Sequence, residues 1–170
     1  MTAAPNSNSL PDLEWRFRAF TDLTVLELER IYTARQRVFV IEQNCAYLDA
    51  DGRDSLSHHL TAWSPTHPLP LAYARLVAPG VAYAEPSMGR VITTEAARGL
   101  GLGRELVKRV IEHARSIYPG QGLRISAQSQ LETFYAGFGF VVVGERYLED
   151  EIAHTEMFLA SLRDTEIKPS

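Results

Sequence analysis

The stretch ARGLGLGREL, residues 97–106, sets Gly99, Gly101 and Gly103 between Arg98 and Arg104 and then runs into a helix-like pattern. Glycines that follow a strand and open a helix leave main-chain N–H groups unpaired at the positive end of the helix dipole, which makes an anion site, suited above all to phosphate. A P-loop would close on Gly-Lys-Ser/Thr, but Gly103 is followed by Arg104 and Glu105. A dinucleotide fingerprint starting at Gly99 would need glycine at 104, where arginine stands. The spacing left is R-x-x-G-x-G on Arg98, Gly101 and Gly103. Other groups able to move or hold a proton are Glu42, Asp49 and Asp51, the adjacent His58 and His59, Arg75 in AYAR, and His154 in EIAHTEM. Neighbours on a strand face opposite ways, so at most one of the two histidines enters a given cleft. No H-E-x-x-H spacing occurs, and no metal is expected. Cys45 is the one cysteine, which excludes a disulfide within the chain and a multi-cysteine zinc site.

The elements that must position these groups follow from periodicity. LEWRFRAF (13–20) alternates and reads as a strand. TDLTVLELERIYTARQRVFV (21–40) has helical spacing at Leu28, Ile31, Tyr32 and Arg35, with Thr21 or Asp22 as cap. CAYLDADGRDS (45–55) is turn-rich, and HHLTAWS (58–64) and LPLAYARLVA (69–78) read as two strands. SMGRVITT (87–94) is a strand that delivers the chain into the glycine loop. After it, Leu102, Leu106, Val110 and Ala114 recur every four residues, widened by Val107 and Ile111, until Pro119 and Gly120 stop the helix. LRISAQ (123–128) reads as a strand, QLETFYAGFG (130–139) as a short helix, and FVVVGERYLE (140–149) and HTEMFLA (154–160) as an antiparallel pair. The order is β-α-β-β-β-α-β-α-β-β, an α/β (α+β) sandwich with a mixed central sheet of about six to seven strands flanked by helices.

Composition bounds the function. A chain of 170 residues that is 45% hydrophobic and 22% charged builds a real core in one globular unit. A formal net charge of −4 argues against nucleic-acid binding. No run of about 18 apolar residues offers a membrane span, and MTAAPNSNSL lacks a signal-peptide pattern, so the cytoplasm is the expected location. Residues 1–12 are expected as a disordered tail, 13–160 as the folded domain and 161–170 as a C-terminal tail.

With Arg98, Gly101 and Gly103 in R-x-x-G-x-G between strand and helix, and the aromatic segment FYAGFGF (134–140) some thirty residues on, the chain resembles the GNAT acyltransferase superfamily. RQRVFVIEQNCAYLDADGRD (35–54), HLTAW, AYARL, GRVITTEAARG and LEDEIAHTEM resemble its ElaA-like subfamily, segment after segment. The resemblance implies the GNAT fold over residues 13–160, acetyl-CoA as co-substrate with no metal, and an N-acetyltransferase activity towards an amine; homodimerisation stays open. It implies that Val91, Ile92 and Thr93 hold the pantetheine arm through their main chain, and that Arg98, Gly99, Leu100, Gly101, Leu102, Gly103 and Arg104 hold the diphosphate. Gln128 stands where the family has asparagine. Tyr135 occupies the position of the tyrosine that protonates the leaving thiolate, with packing in the aromatic cluster as the alternative. Glu42, Asp49, Asp51, His59, Arg75 and His154 fall on the acceptor side, where carboxylates would receive an ammonium group and Glu42 or His59 would take its proton. The acidic stretch alternatively forms a solvated rim, and His59 a strand-end histidine bonded to main chain. A GNAT-fold acyl-CoA-binding regulator without turnover is the alternative function.

Overall fold

The computed structural model describes residues 12–161; the expected tails, 1–12 and 161–170, lie outside them save for Asp12 and Ser161. Chain order is β1 (Glu14–Ala19), α1 (Val25–Gln36), β2 (Ser57–Trp63), β3 (Ala72–Val77), β4 (Ser87–Thr93), α2 (Leu102–Ile117), β5 (Leu123–Gln128), α3 (Glu132–Ala136), β6 (Val141–Val142), β7 (Tyr147–Glu149) and β8 (Ile152–Leu159). The strands form one sheet in the order β1-β2-β3-β4-β5-β8-β6, with β7 also on β8. Every pair is antiparallel except β4 with β5.

The sheet has eight strands where about six to seven were expected, because the segment 140–149 divides. β6 and β7 follow one edge of β8, Val142 opposite Met157 and Tyr147 opposite His154, so four residues of one strand face two of the other. The first helix also begins later than Thr21 or Asp22. Phe20–Asp22 is a 3-10 turn, and Thr24 caps α1 through a capping box in which its hydroxyl accepts from the Glu27 amide while the Glu27 carboxylate accepts from the Thr24 amide. Past Gln36 the helix widens into a π-helical turn, Arg37–Glu42, which carries Glu42 off the regular helix face.

Each face of the sheet is covered. The stripe Leu102, Leu106, Val107, Val110, Ile111 and Ala114 of α2 is buried against β3 and β4 and joins Leu60, Leu76, Met88, Ile125 and Met157 in the main core. On the other face Ile31, Ala34 and Val38 pack on Tyr73 and Ile92. That second core is small, and its remaining interior is ionic.

Candidate active site

β4 and β5 touch over two residue pairs only, Ser87 with Arg124 and Met88 with Ile125. Beyond them β4 follows β3 and β5 follows β8, so the only parallel pair of the described sheet opens into a cleft. The divergence coincides with a bulge. Tyr73 lies opposite Ile92 but Arg75 opposite Gly89, so Ala74 faces both Arg90 and Val91. Arg90 adopts φ 53°, unusual for a side-chain-bearing residue. The cleft holds about 410 Å³ and is lined by Gly89, Arg90 and Val91 on one side, by Ser126, Ala127 and Gln128 on the other, and by Tyr135.

The glycine loop closes one end of β4. Gly99 and Gly101 have φ of 78° and 73°, left-handed conformations that only glycine enters without strain, and a Cβ on either would meet nothing within 4 Å. The amides of Gly99, Gly101, Leu102 and Gly103 donate to no main-chain carbonyl among the described residues. Gly101 caps α2 with no side chain on the helix end. Four free donors, open space and the helix dipole fit a diphosphate. Arg104 reaches from the first turn of α2 over the rings of Phe134 and Phe138, each 5.7 Å away, and ties the aromatic segment to the loop.

Tyr135 is buried at 6% exposure, in edge-to-face contact with Phe134 and Phe140, and its ring lines the cleft. Burial pushes its hydroxyl up to about 12, so it keeps its proton at neutral pH. Gln128 lines the cleft and donates to Gln43 Oε1 at 3.3 Å. Val91 lines the cleft, Ile92 turns into the small core, and Thr93 is half-buried.

The acceptor-side residues are distributed unexpectedly. Glu42 pairs with Arg98, which places its carboxylate at the glycine loop, and it is not among the cleft-lining residues. Asp49 and Asp51 are not free rim charges. Arg35 pairs with Asp49 and Asp54, both at 2.8 Å, Arg75 with Asp51 at 2.7 Å and Asp54 at 3.0 Å, and Arg90 with Asp49 at 2.9 Å and Asp51 at 3.4 Å. Three arginines and three aspartates thus neutralise one another between α1 and the sheet, with the Arg35 side chain at 0% exposure. Burial pushes the Asp54 carboxyl up, but Arg35 and Arg75 outweigh it and hold it below its usual range. The Arg75 and Arg90 pairs do the same for Asp51.

His59 sits in the same layer. Its Nε2 lies 3.0 Å from the Asp54 carbonyl oxygen and its Nδ1 2.8 Å from the Tyr73 hydroxyl. A carbonyl only accepts, so Nε2 donates and the Nδ1 lone pair accepts the Tyr73 proton. Burial lowers its pKa and keeps the ring neutral. His58 faces the other way, and Phe17 stacks between it and His113 of α2.

Arg75 and His154 do line the cleft, and beside His154 and the expected Gln128 stand Ser126, Tyr147 and Glu156, which carry no motif of their own. Ser126 and Gln128 on β5, His154 and Glu156 on β8, and Tyr147 on β7 share one half-open face, while Ile125, Ala127, Thr155 and Met157 are buried on the other. Tyr83, Glu149 and Asp150 complete this end of the cleft.

A protein-family model, the acetyltransferase (GNAT) domain, matches residues 54–161. The chain belongs to the GNAT acetyltransferase family. It is 44% identical to a UPF0039 protein of Synechocystis over 86% of this chain and 94% of that one. It is 35% identical to protein ElaA of Escherichia coli over 85% of this chain and 95% of the relative. Among solved structures, an acyl-CoA N-acyltransferase from Pseudomonas aeruginosa superposes with a TM-score of 0.83 at 40% identity, covering 87% of this chain and 99% of the other. As a GNAT member the chain is an N-acetyltransferase, and the glycine loop and diverging strands are the parts of it that fit an acyl-CoA. No helix among the described residues is long and apolar enough to cross a membrane. Nor, among them, does any group of three His, Cys, Asp or Glu side chains meet as a metal site.

Proposed function

We propose that this GNAT acetyltransferase moves an acetyl group from acetyl-CoA to a primary amine on a cationic small molecule or peptide. The observation that carries this is the cleft itself: Val91 and Tyr135 line it together with the acidic Glu149 and Asp150, and β4, which forms one of its walls, leads on to the free amides of the glycine loop. Acetyl-CoA supplies an activated thioester. The amides of Gly99, Gly101, Leu102 and Gly103, with Arg98 and Arg104, would hold its diphosphate, and Val91 with its neighbours Ile92 and Thr93 would take the pantetheine arm. Binding energy gained there, far from the reacting atoms, positions the acyl carbon. Tyr135, protonated at neutral pH, returns a proton to the departing sulfur. Carboxylates at the far end attract an ammonium group and favour its charged form, so the proton must be taken up by a base before attack.

The test measures free thiol released from acetyl-CoA with tyramine, spermidine, an acidic amino acid and a lysine-containing tripeptide, alongside calorimetric binding of acetyl-CoA. Amine-dependent release that favours the cationic acceptors supports the proposal. Tight binding without amine-dependent release identifies an acyl-CoA-binding regulator instead.

A further inference from the structure

Acyl transfer to an ammonium group needs a proton acceptor that faces the acceptor, and the geometry separates three candidates. The Glu42 carboxylate is engaged by Arg98 at the diphosphate end. Both ring nitrogens of His59 are committed inside the ionic layer, to Tyr73 and to the Asp54 carbonyl. His154 differs from both. Its Nδ1 lies 2.8 Å from the Ile152 carbonyl oxygen. Since a carbonyl only accepts, Nδ1 carries the hydrogen of the neutral ring and the lone pair is left on Nε2. That nitrogen has no hydrogen-bond partner among the described residues, and the ring lines the cleft.

The setting holds the ring in place. His154 lies opposite Gln128 in the β5–β8 ladder and opposite Tyr147 in the β7–β8 ladder, and the Tyr147 ring stacks on it at 6.1 Å and 29°. The groups on its face are Gln128 and Ser126 from β5, Tyr147 and Glu149 from β7, and Glu156 from its own strand. Glu156 is turned to Arg124 at 3.1 Å, which leaves Glu149 as the carboxylate of that face without an ion-pair partner among the described residues.

We propose that His154 is the general base of the transfer, accepting the acceptor's proton on Nε2. This rests on the acyl-transfer reading above. One proton passes from the ammonium to Nε2 and on to solvent. The freed amine nitrogen attacks the thioester carbonyl carbon, a C–N bond forms and the carbonyl π electrons move to oxygen. They return as the C–S bond breaks; the nitrogen gives up its second proton to the regenerated base or water, and the sulfur takes one from Tyr135, which recovers it from solvent. The balance is ammonium plus acyl-CoA giving amide, free thiol and one proton.

The experiment compares unmodified protein, His154→Ala and His154→Gln with tyramine, spermidine and the lysine tripeptide. The alanine variant is expected to lose about 10²–10⁴-fold in kcat/KM. Acetyl-CoA affinity should stay within about twofold, the acid limb of the pH profile should move up towards the amine's own pKa, and added imidazole should restore part of the rate. Loss of rate with an unmoved acid limb, or a rate within about threefold of the unmodified protein, overturns the assignment while leaving acyl transfer intact. Unmodified protein that binds acetyl-CoA but releases no thiol with any amine overturns both. Should the variants fail to fold, long-range proton–nitrogen NMR on the unmodified protein decides. A bare Nε2 whose resonance moves on adding the amine supports the base, and hydrogen on Nε2 refutes it.

Discussion

Asp54→Asn tests whether the ionic layer under the cleft is truly desolvated. The Asp54 carboxylate accepts from Arg35 at 2.8 Å, from Arg75 at 3.0 Å and from the Tyr32 hydroxyl at 3.1 Å. Its neutralisation leaves three buried or half-buried arginines against two aspartates. The amide oxygen can still accept from Arg35 and Arg75 at Oδ1, and the N–H₂ takes the place of the oxygen that accepts from Tyr32, so the loss is chiefly that of the charge. Removing one partner of a buried ion pair costs about 3–5 kcal/mol. Here Arg35 keeps Asp49 and Arg75 keeps Asp51, so the lower end of that range applies. At roughly 2–4 °C per kcal/mol for a chain of this size, a loss of about 3 kcal/mol lowers Tm by about 6–12 °C. Urea unfolding followed by circular dichroism should show a lower midpoint at an unchanged m-value. Glu105→Gln is the control. It breaks the 2.7 Å pair with Arg109, whose side chains are both more than a third exposed, and should move stability by no more than about 0.5 kcal/mol. An Asp54→Asn loss below about 1 kcal/mol at constant m would mean that water screens the layer, and the argument from burial would fall.

Gly101→Glu puts a negative side chain into the open loop where the diphosphate is proposed to lie, and should weaken acetyl-CoA binding at least about tenfold, or roughly 1.4 kcal/mol. Gly101→Asn, which tolerates the left-handed conformation, separates strain from charge, and calorimetry of folded variants with equal affinities would remove the anion site. Tyr135→Phe keeps the ring packing and deletes only the hydroxyl, so it should lower kcat on the order of 10²-fold with acetyl-CoA affinity unchanged. Equal kcat, with chemistry shown to limit the rate, would make it a packing residue. Burial lowers the pKa of His59, and of His58 and His113 as well. A lowered folded value means the unfolded chain takes up protons first, so the urea midpoint should fall as pH drops below about 6.5. Below about 4 it should fall again, as the depressed carboxyls of Asp51 and Asp54 are protonated. A midpoint flat from pH 7 to 5 would show that the histidines are not held neutral by the fold.

What could be read from sequence was local. The four-residue repeat of α2 and the alternation in LRISAQ report burial directly, because one helix face or one strand face meets the core whatever lies elsewhere. The glycine loop was legible for the same reason: positive φ and free amides are properties of a few consecutive residues. The ionic layer was not, since Arg35 meets Asp54 across 19 residues and Arg90 meets Asp49 across 41. In one dimension Asp49 and Asp51 look like solvated turn residues beside Gly52. His59 and His154 were equally ambiguous, because only the partners of each ring nitrogen tell a locked imidazole from a free one. Those partners are a hydroxyl on β3 and a carbonyl five residues back in one case, and a carbonyl two residues back in the other.

The ionic layer also explains why there is a cleft to occupy. Continued pairing of β4 with β5 would fill the gap with ladder hydrogen bonds, and what interrupts it is the bulge at Arg90. Its left-handed backbone costs roughly 1–2 kcal/mol relative to an extended residue. Asp49 and Asp51 offset that cost by holding the guanidinium at 2.9 and 3.4 Å, while the rings of Phe39 and Tyr47 lie 5.9 and 5.5 Å from it. The same aspartates are fixed from behind by Arg35 and Arg75, which the second core buries. Asp49 and Asp51, expected on the acceptor side, therefore act one layer beneath it. They stabilise the strand geometry that parts the sheet, and leave Tyr135, Gln128 and His154 to face what enters.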